Sequence, residues 1–204
     1  GGLLSAAWED VKKVRYPKTV RALAKLEERA VEIGVYVCTS IHGLLQTPEH
    51  ARALFRAAQP PYAADDVERM VAARMARRSV YERDPAPSIS FVLEEATLQR
   101  EVGGTMVWRR QLERLLEVGQ LHNVTLQVMP TKTEAHPGVD GRIEVLKFAD
   151  GAATGRSDGA FYGRPTSDPK QLRILELRYN TIRAQALSPR ESLAFIEHLL
   201  LGET

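Results

Sequence analysis

Apolar positions recur along this chain at two spacings, three to four residues in some stretches and two in others. That alternation lays out the expected elements. Residues 5–33 carry the helical spacing, broken near Tyr16-Pro17, where the proline disfavours helix at Tyr16 and can start the next one. In the second of these helices Leu23, Leu26, Ala30 and Ile33 form one stripe, Gly34 ends it, and Val35-Tyr36-Val37-Cys38 reads as a short β run. The spacing predicts further helices over 48–58 and 64–83, separated by Gln59-Pro60-Pro61-Tyr62. The second half changes character. Ile89, Phe91 and Leu93 alternate with Ser88, Ser90 and Val92 as in a strand, and a helix follows from about Trp108 to Gln120 with Leu112, Leu115 and Leu116 on one face. Val124-Thr125-Leu126-Gln127-Val128-Met129, closed by Pro130, is the clearest strand, and Ile143-Glu144-Val145-Leu146-Lys147-Phe148 is another. Asp168-Pro169-Lys170-Gln171 and Ser188-Pro189-Arg190-Glu191 then open two C-terminal helices, each with a cap, a proline at the first position and a Gln or Glu at the third.

Strand, helix and strand over 88–129 give the rhythm of a parallel βαβ pair. The expected fold is therefore α/β, with α+β as the alternative. It has a small mixed or parallel sheet core flanked by N-terminal and C-terminal helices. Residues 1–34 read as a helical linker or annex and 35–204 as the α/β domain. The Gly- and Pro-rich loops at 131–141 and 149–167 follow strands, the usual place for ligands in open α/β sheets.

One stretch stands out: Ile41-His42-Gly43-Leu44-Leu45-Gln46-Thr47-Pro48-Glu49-His50-Ala51. Thr47 is an N-cap and Pro48 occupies the first helical position, where its missing donor is harmless. Leu44 and Leu45 lie just outside the helix. Apolar residues there usually staple the helix start to a core; the alternative is that they meet a partner.

The composition, 44% hydrophobic and 26% charged, is that of an ordinary globule, and a net charge of +2 gives no basic excess for nucleic acid. Cys38 is the single cysteine, so no intrachain disulfide and no cysteine-based zinc site can form, which fits a reducing cytoplasm. No run approaches the length of a membrane span. The start, Gly1-Gly2-Leu3-Leu4-Ser5, reads as the cut end of a longer protein or the scar of a removed tag.

Candidate chemistry is sparse. Glu94 and Glu95 close a strand with carboxylates on opposite faces, so at most one points inward, to cap a turn or to pair with an arginine. Arg74 and Arg77, with Arg78, share a helix face and can clamp a carboxylate or phosphate or simply face solvent. The five histidines show no metal spacing; His136, in the loop after the clearest strand, is the best placed. Phe161-Tyr162 makes an apolar island in the 149–167 loop, able to close over a ligand or to form an edge strand. No nucleophile elbow, P-loop or dinucleotide fingerprint is present.

The order of these segments resembles the DUF5753-type C-terminal domain of unknown function that follows an Xre-type helix-turn-helix in actinobacterial regulators. The resemblance spans about Trp8 to Leu200. It is carried by Leu26-Glu27, the 41–51 stretch, Arg74-Met75-Ala76-Arg77, Val92-Leu93-Glu94-Glu95-Ala96-Thr97-Leu98 and Gly103-Gly104. Gln111-Leu112, Asn123 to Pro130, Ala186-Leu187-Ser188-Pro189 and Ser192-Leu193 complete it. His42 stands where a proline is commoner, and Phe161-Tyr162-Gly163-Arg164 replaces a tyrosine-and-glutamate strand. The resemblance implies a cytoplasmic, non-enzymatic regulatory domain with no cofactor and no metal. It would bind a small acidic protein or a small-molecule effector, with DNA read only by an upstream domain absent from this chain. The expected contact residues are Leu44, Leu45, Gln46, Arg74, Arg77, Glu95, His136 and Tyr162. Two alternatives stand beside this reading. One is a phosphate-ester hydrolase that gathers Glu95, Arg74, Arg77 and His136 in one pocket. The other is a structural module that forms a homodimer.

Overall fold

A computed structural model describes residues 25–202, so the expected helices over residues 5–24 lie outside the described residues. The elements are β1 (Ala30–Val37), α1 (Pro48–Arg56), α2 (Ala64–Ala76), β2 (Ser88–Glu94), α3 (Glu95–Leu98) and α4 (Thr105–Gly119). They continue with β3 (Val124–Met129), β4 (Ile143–Phe148), β5 (Ala153–Ser157), α5 (Pro169–Gln185) and α6 (Pro189–Leu201). The expected α/β class holds, with a mixed sheet in the order β3-β2-β1-β4-β5. Strands β1, β2 and β3 are parallel, β4 runs antiparallel to β1, and β5 antiparallel to β4. Among the described residues no helix is long and apolar enough to cross a membrane.

Side-chain alternation assigns the two faces of the sheet. Val35, Val37, Phe91, Leu93, Leu126 and Leu146 pack with Leu44, Leu45, Trp108, Leu115 and Ile196 on the face covered by α4 and α6. Tyr36, Val92, Met129, Ile143 and Val145 pack against Leu175, Tyr179 and Ile182 of α5 on the other. The outer edge of β3 is not left bare: Val128 N–H donates to Ser192 Oγ at 2.9 Å, and Leu187 N–H donates to Val128 O at 2.9 Å. The three α-helices that open on proline, α1, α5 and α6, follow caps that accept as expected: Thr47 from His50, Asp168 from Gln171, and Ser188 from Glu191 in a full capping box.

Three expectations give way. The helix stripe through Ala30 and Ile33 is instead the start of β1, because Ile33, Val35 and Val37 also alternate, and pairing on both sides with β2 and β4 decides in favour of strand. The boundary at 34/35 therefore cuts the central strand rather than separating two units. Gly34 does not end an element; it admits the Tyr179 ring, whose Cε1 would lie 2.7 Å from an added Cβ. The 149–167 loop contains β5, and Phe161–Gly163 is one turn of 3-10 helix, with Phe161 at φ 53°, not an edge strand. The α helix expected over 64–83 stops at Ala76 and continues as 3-10 turns over Arg77–Glu82.

Because β4 is antiparallel to β1, the 130–142 segment travels from the end of β3 across the C-terminal ends of β2 and β1 before β4 begins. This route sets His136 over the parallel strand ends. Tyr179 is pinned from above Gly34 by donating its hydroxyl to Ser90 O at 2.9 Å, so it has little freedom to yield. Gly34→Ala is expected to lower stability by about 1–3 kcal/mol in urea unfolding. An unchanged midpoint would contradict this packing.

Candidate functional site

The 41–47 loop is built from its own side chains. Gln111 Nε2 donates to Leu45 O and its Oε1 accepts from Thr47 N–H, both at 2.8 Å. Gln46 Nε2 donates to Ile41 O at 2.6 Å, and Gln46 Oε1 accepts from Arg74 Nη1 at 2.6 Å. Arg78 donates to Gln46 O. Gly43 lets the two arginines lie against the loop, since an added Cβ would stand 3.1 Å from Arg77 Nη1 and 3.5 Å from Arg74 Cδ. Leu44 and Leu45 are 0% exposed. Their expected role as a partner surface is thereby corrected: they staple the start of α1 to the core.

Beneath this loop lies a buried ionic cluster that sequence reasoning missed. Arg77 Nε and Nη2 donate to Glu27 Oε2 and Oε1 at 2.8 and 2.5 Å, a bidentate fork. Even so, burial outweighs the guanidinium and raises the Glu27 carboxyl above its ordinary range. His42 lies against Phe91, with ring centroids 5.6 Å apart, and its Nδ1 accepts from Leu44 N–H at 3.4 Å. Burial first, then Arg77, Arg142 and Arg74, hold His42 well below its usual range. The ring is therefore neutral with its proton on Nε2, 4.0 Å from Glu144 Oε1. Glu144 extends from β4 opposite Val35, on the same side as Leu146, and is 1% exposed. No hydrogen bond reaches either of its oxygens among the described residues. Burial, reinforced by Glu27, pushes its carboxyl up to about 7. A carboxylate at an apolar parity position of a strand was the one local signal that could have revealed it.

The opposite face carries a second cluster at the strand ends. Tyr36 hydroxyl donates to Glu94 Oε1 at 2.5 Å, and His136 Nε2 lies 3.1 Å from the same oxygen. His136 Nδ1 accepts from Gly138 N–H at 3.1 Å, which leaves Nε2 to donate to Glu94. Gly138 is obligatory, since an added Cβ would approach the Tyr36 hydroxyl to 2.4 Å. The divergence of Glu94 and Glu95 is as expected, but Glu94 is the inward member. Glu95 accepts from Thr131 N–H at 2.8 Å and from Gln99 Nε2 at 2.9 Å. Both carboxylates thus clamp the 130–142 crossing.

The eight expected contact residues are therefore divided. Leu44, Leu45, Gln46, Arg74 and Arg77 meet on the α4–α6 face, whereas Glu95 and His136 hold the crossing loop, and His136 pairs with Glu94 on the α5 face. Tyr162 belongs to the 3-10 turn. The constellation of Glu95, Arg74, Arg77 and His136 expected of a hydrolase is not assembled. A separate cleft of about 200 Å³ between β1, β2 and α5 is lined by Gly34, Ser90, Glu32, Glu176 and Lys147. The Lys147 ammonium is shared there between Glu32 at 3.1 Å and Glu176 at 3.6 Å.

Fold and clusters together define a mixed α/β domain whose buried polar groups fix the loops at the strand ends. The chain belongs to the DUF5753 family, a domain of unknown function whose model matches residues 20–198. Comparison with curated proteins gives no match.

The upward shift of Glu144 has a definite consequence for stability. Between the ordinary carboxyl value near 4.5 and about 7, the folded state binds more protons than the unfolded one. The Glu144 contribution to stability therefore falls as pH rises through that window and levels above it, while His42 and His50, held below the ordinary histidine range, contribute in the opposite sense. The full Glu144 change is on the order of 3 kcal/mol, and Glu27 acts in the same direction as Glu144. Glu144→Gln in EDTA-containing buffer should remove the Glu144 contribution, so that its urea midpoint gains on the parent's between pH 5 and pH 7.5 and lies above it at pH 8. A difference in urea midpoint between variant and parent that does not grow from pH 5 to pH 7.5 would contradict the assignment.

Proposed function

We propose that this chain is the regulatory domain of an Xre-type transcriptional regulator of actinobacterial type. It acts in the cytoplasm without catalysis, by binding a small acidic protein that controls an attached helix-turn-helix. The observation that supports the reading is the outer face of α5. Leu172, Leu175, Tyr179 and Ile182 fill its inner stripe, yet on the opposite side Ile174 and Leu177 are 43% and 68% exposed. They lie among Lys170, Arg173 and Arg178. Val139, 79% exposed, adjoins Asp140, which pairs with Arg178 Nη1 at 3.1 Å. Apolar side chains ringed by cations suit an acidic protein with an apolar centre. This face replaces the buried Leu44 and Leu45 as the proposed contact surface.

Leu177→Asp places an unpaired carboxylate at the centre of that face and should weaken capture of a purified small acidic partner by about 30-fold or more. Its fold should be unaffected, because the side chain is exposed. Undiminished binding in the variant rejects the surface. Loss of binding accompanied by a homodimer in light scattering of the parent assigns the face to self-association instead.

A further inference from the structure

Glu144 is the anomaly of the molecule: a fully buried carboxylate, on an apolar side of the sheet, with both oxygens lacking a hydrogen bond among the described residues. Buried polar groups are nearly always satisfied, so an orphan of this kind points to something it holds. Its neighbours supply the complementary donors. One ligand atom each from Glu27, His42 and Glu144 lies within 4.8 Å of the other two. Three atoms so placed all lie within about 2.8 Å of a common centre. Contacts of about 2.0–2.2 Å to a zinc-sized ion then need side-chain shifts of about 1 Å or less.

We propose that Glu27, His42 and Glu144 form a binding site for one first-row divalent cation of the zinc class, buried between the 41–47 loop and β4. The donor set of one imidazole and two carboxylates suits such an ion better than magnesium or calcium, which take oxygen alone. Arg77 holds the Glu27 carboxylate by both oxygens and fixes its orientation, as partners of metal-ligating carboxylates do. Arg77 offsets Glu27, Asp158 offsets the nearby Arg142, and His42 is neutral, so an ionised Glu144 is the ligand whose charge meets the ion, with Arg74 the further cation acting on His42. Loading therefore releases the Glu144 proton wherever the metal-free carboxyl holds one.

His42 gives the site its own signature. Ligation through Nε2 requires the ring proton on Nδ1, whereas the metal-free ring carries it on Nε2 and accepts from Leu44 N–H at 3.4 Å. Binding thus exchanges the tautomer and gives up a long hydrogen bond. The site lies on the opposite face of the sheet from the outer surface of α5, so the two proposals stand or fall separately.

The protein, stripped with EDTA, is titrated with Zn²⁺ by calorimetry and with Co²⁺ by visible absorption, and the His42 tautomer is read by proton–nitrogen correlation. The expected results are one equivalent of metal, a cobalt ligand-field spectrum, and a His42 ring proton that moves from Nε2 to Nδ1. Glu144→Gln should lower zinc affinity about 100-fold or more while folding at least as stably as the parent without metal. Less than one equivalent in the parent, equal affinity in the variant, or a ring proton retained on Nε2 in saturating zinc would each overturn the site. Should the variant misfold, the tautomer measured in the parent decides alone.

Discussion

The burial of two carboxylates against one bidentate guanidinium is the constraint around which the domain is arranged. Glu27 precedes the central strand, Glu144 stands on the strand beside it, and Arg77 reaches in from the end of α2. Removing one partner from a buried pair of this kind typically costs about 3–5 kcal/mol, because the remaining charge is stranded. The pair therefore ties the crossover between β1 and β2 to the sheet, and the 41–47 loop is shaped to lie over it. Gly43 is small enough for Arg74 and Arg77 to pass, Gln46 bonds Arg74, and Leu44 and Leu45 close the apolar side.

The same economy governs the far side of the strand ends. Glu94 and Glu95, adjacent in sequence, point apart and grip the crossing segment at two places, one through Tyr36 and His136 and the other through the backbone at Thr131. A segment that must travel from the edge strand β3 over two others to β4 is long and poorly supported by backbone pairing. Side-chain clamps supply what the sheet does not. Both clusters hold loops against the strand ends, the second with the Cys38 thiol near Tyr36 and Glu94.

Legibility of the fold in the sequence follows the range of the interactions involved. Helix starts such as Thr47-Pro48, Asp168-Pro169 and Ser188-Pro189 were plain because cap and proline act within one turn. The βαβ unit from β2 to β3 was plain because its strands carry their own alternation. By contrast, residues 30–37 satisfy both the helical and the strand spacing, and only pairing with β2 and β4 selects the strand. Strand β5 has no large apolar side chain; Gly155 is buried only because Leu172 and Leu175 of α5 descend onto it. The buried cluster was hidden for the same reason, its members coming from four separate segments. Arg77 is legible as a clamp for a carboxylate, but nothing local marks Glu27 as its partner, and nothing local marks Glu94 as the partner of His136.

The state of one carboxyl group reports whether the buried cluster is assembled. Site-specific carbon-13 NMR of the Glu144 side chain, titrated in EDTA, reads that state without reference to stability or to any ligand. A midpoint near 7 is the result the buried cluster predicts. A midpoint near 4.5, the value of a carboxyl in water, would mean that Glu144 is solvated or paired and that the cluster is not assembled as described.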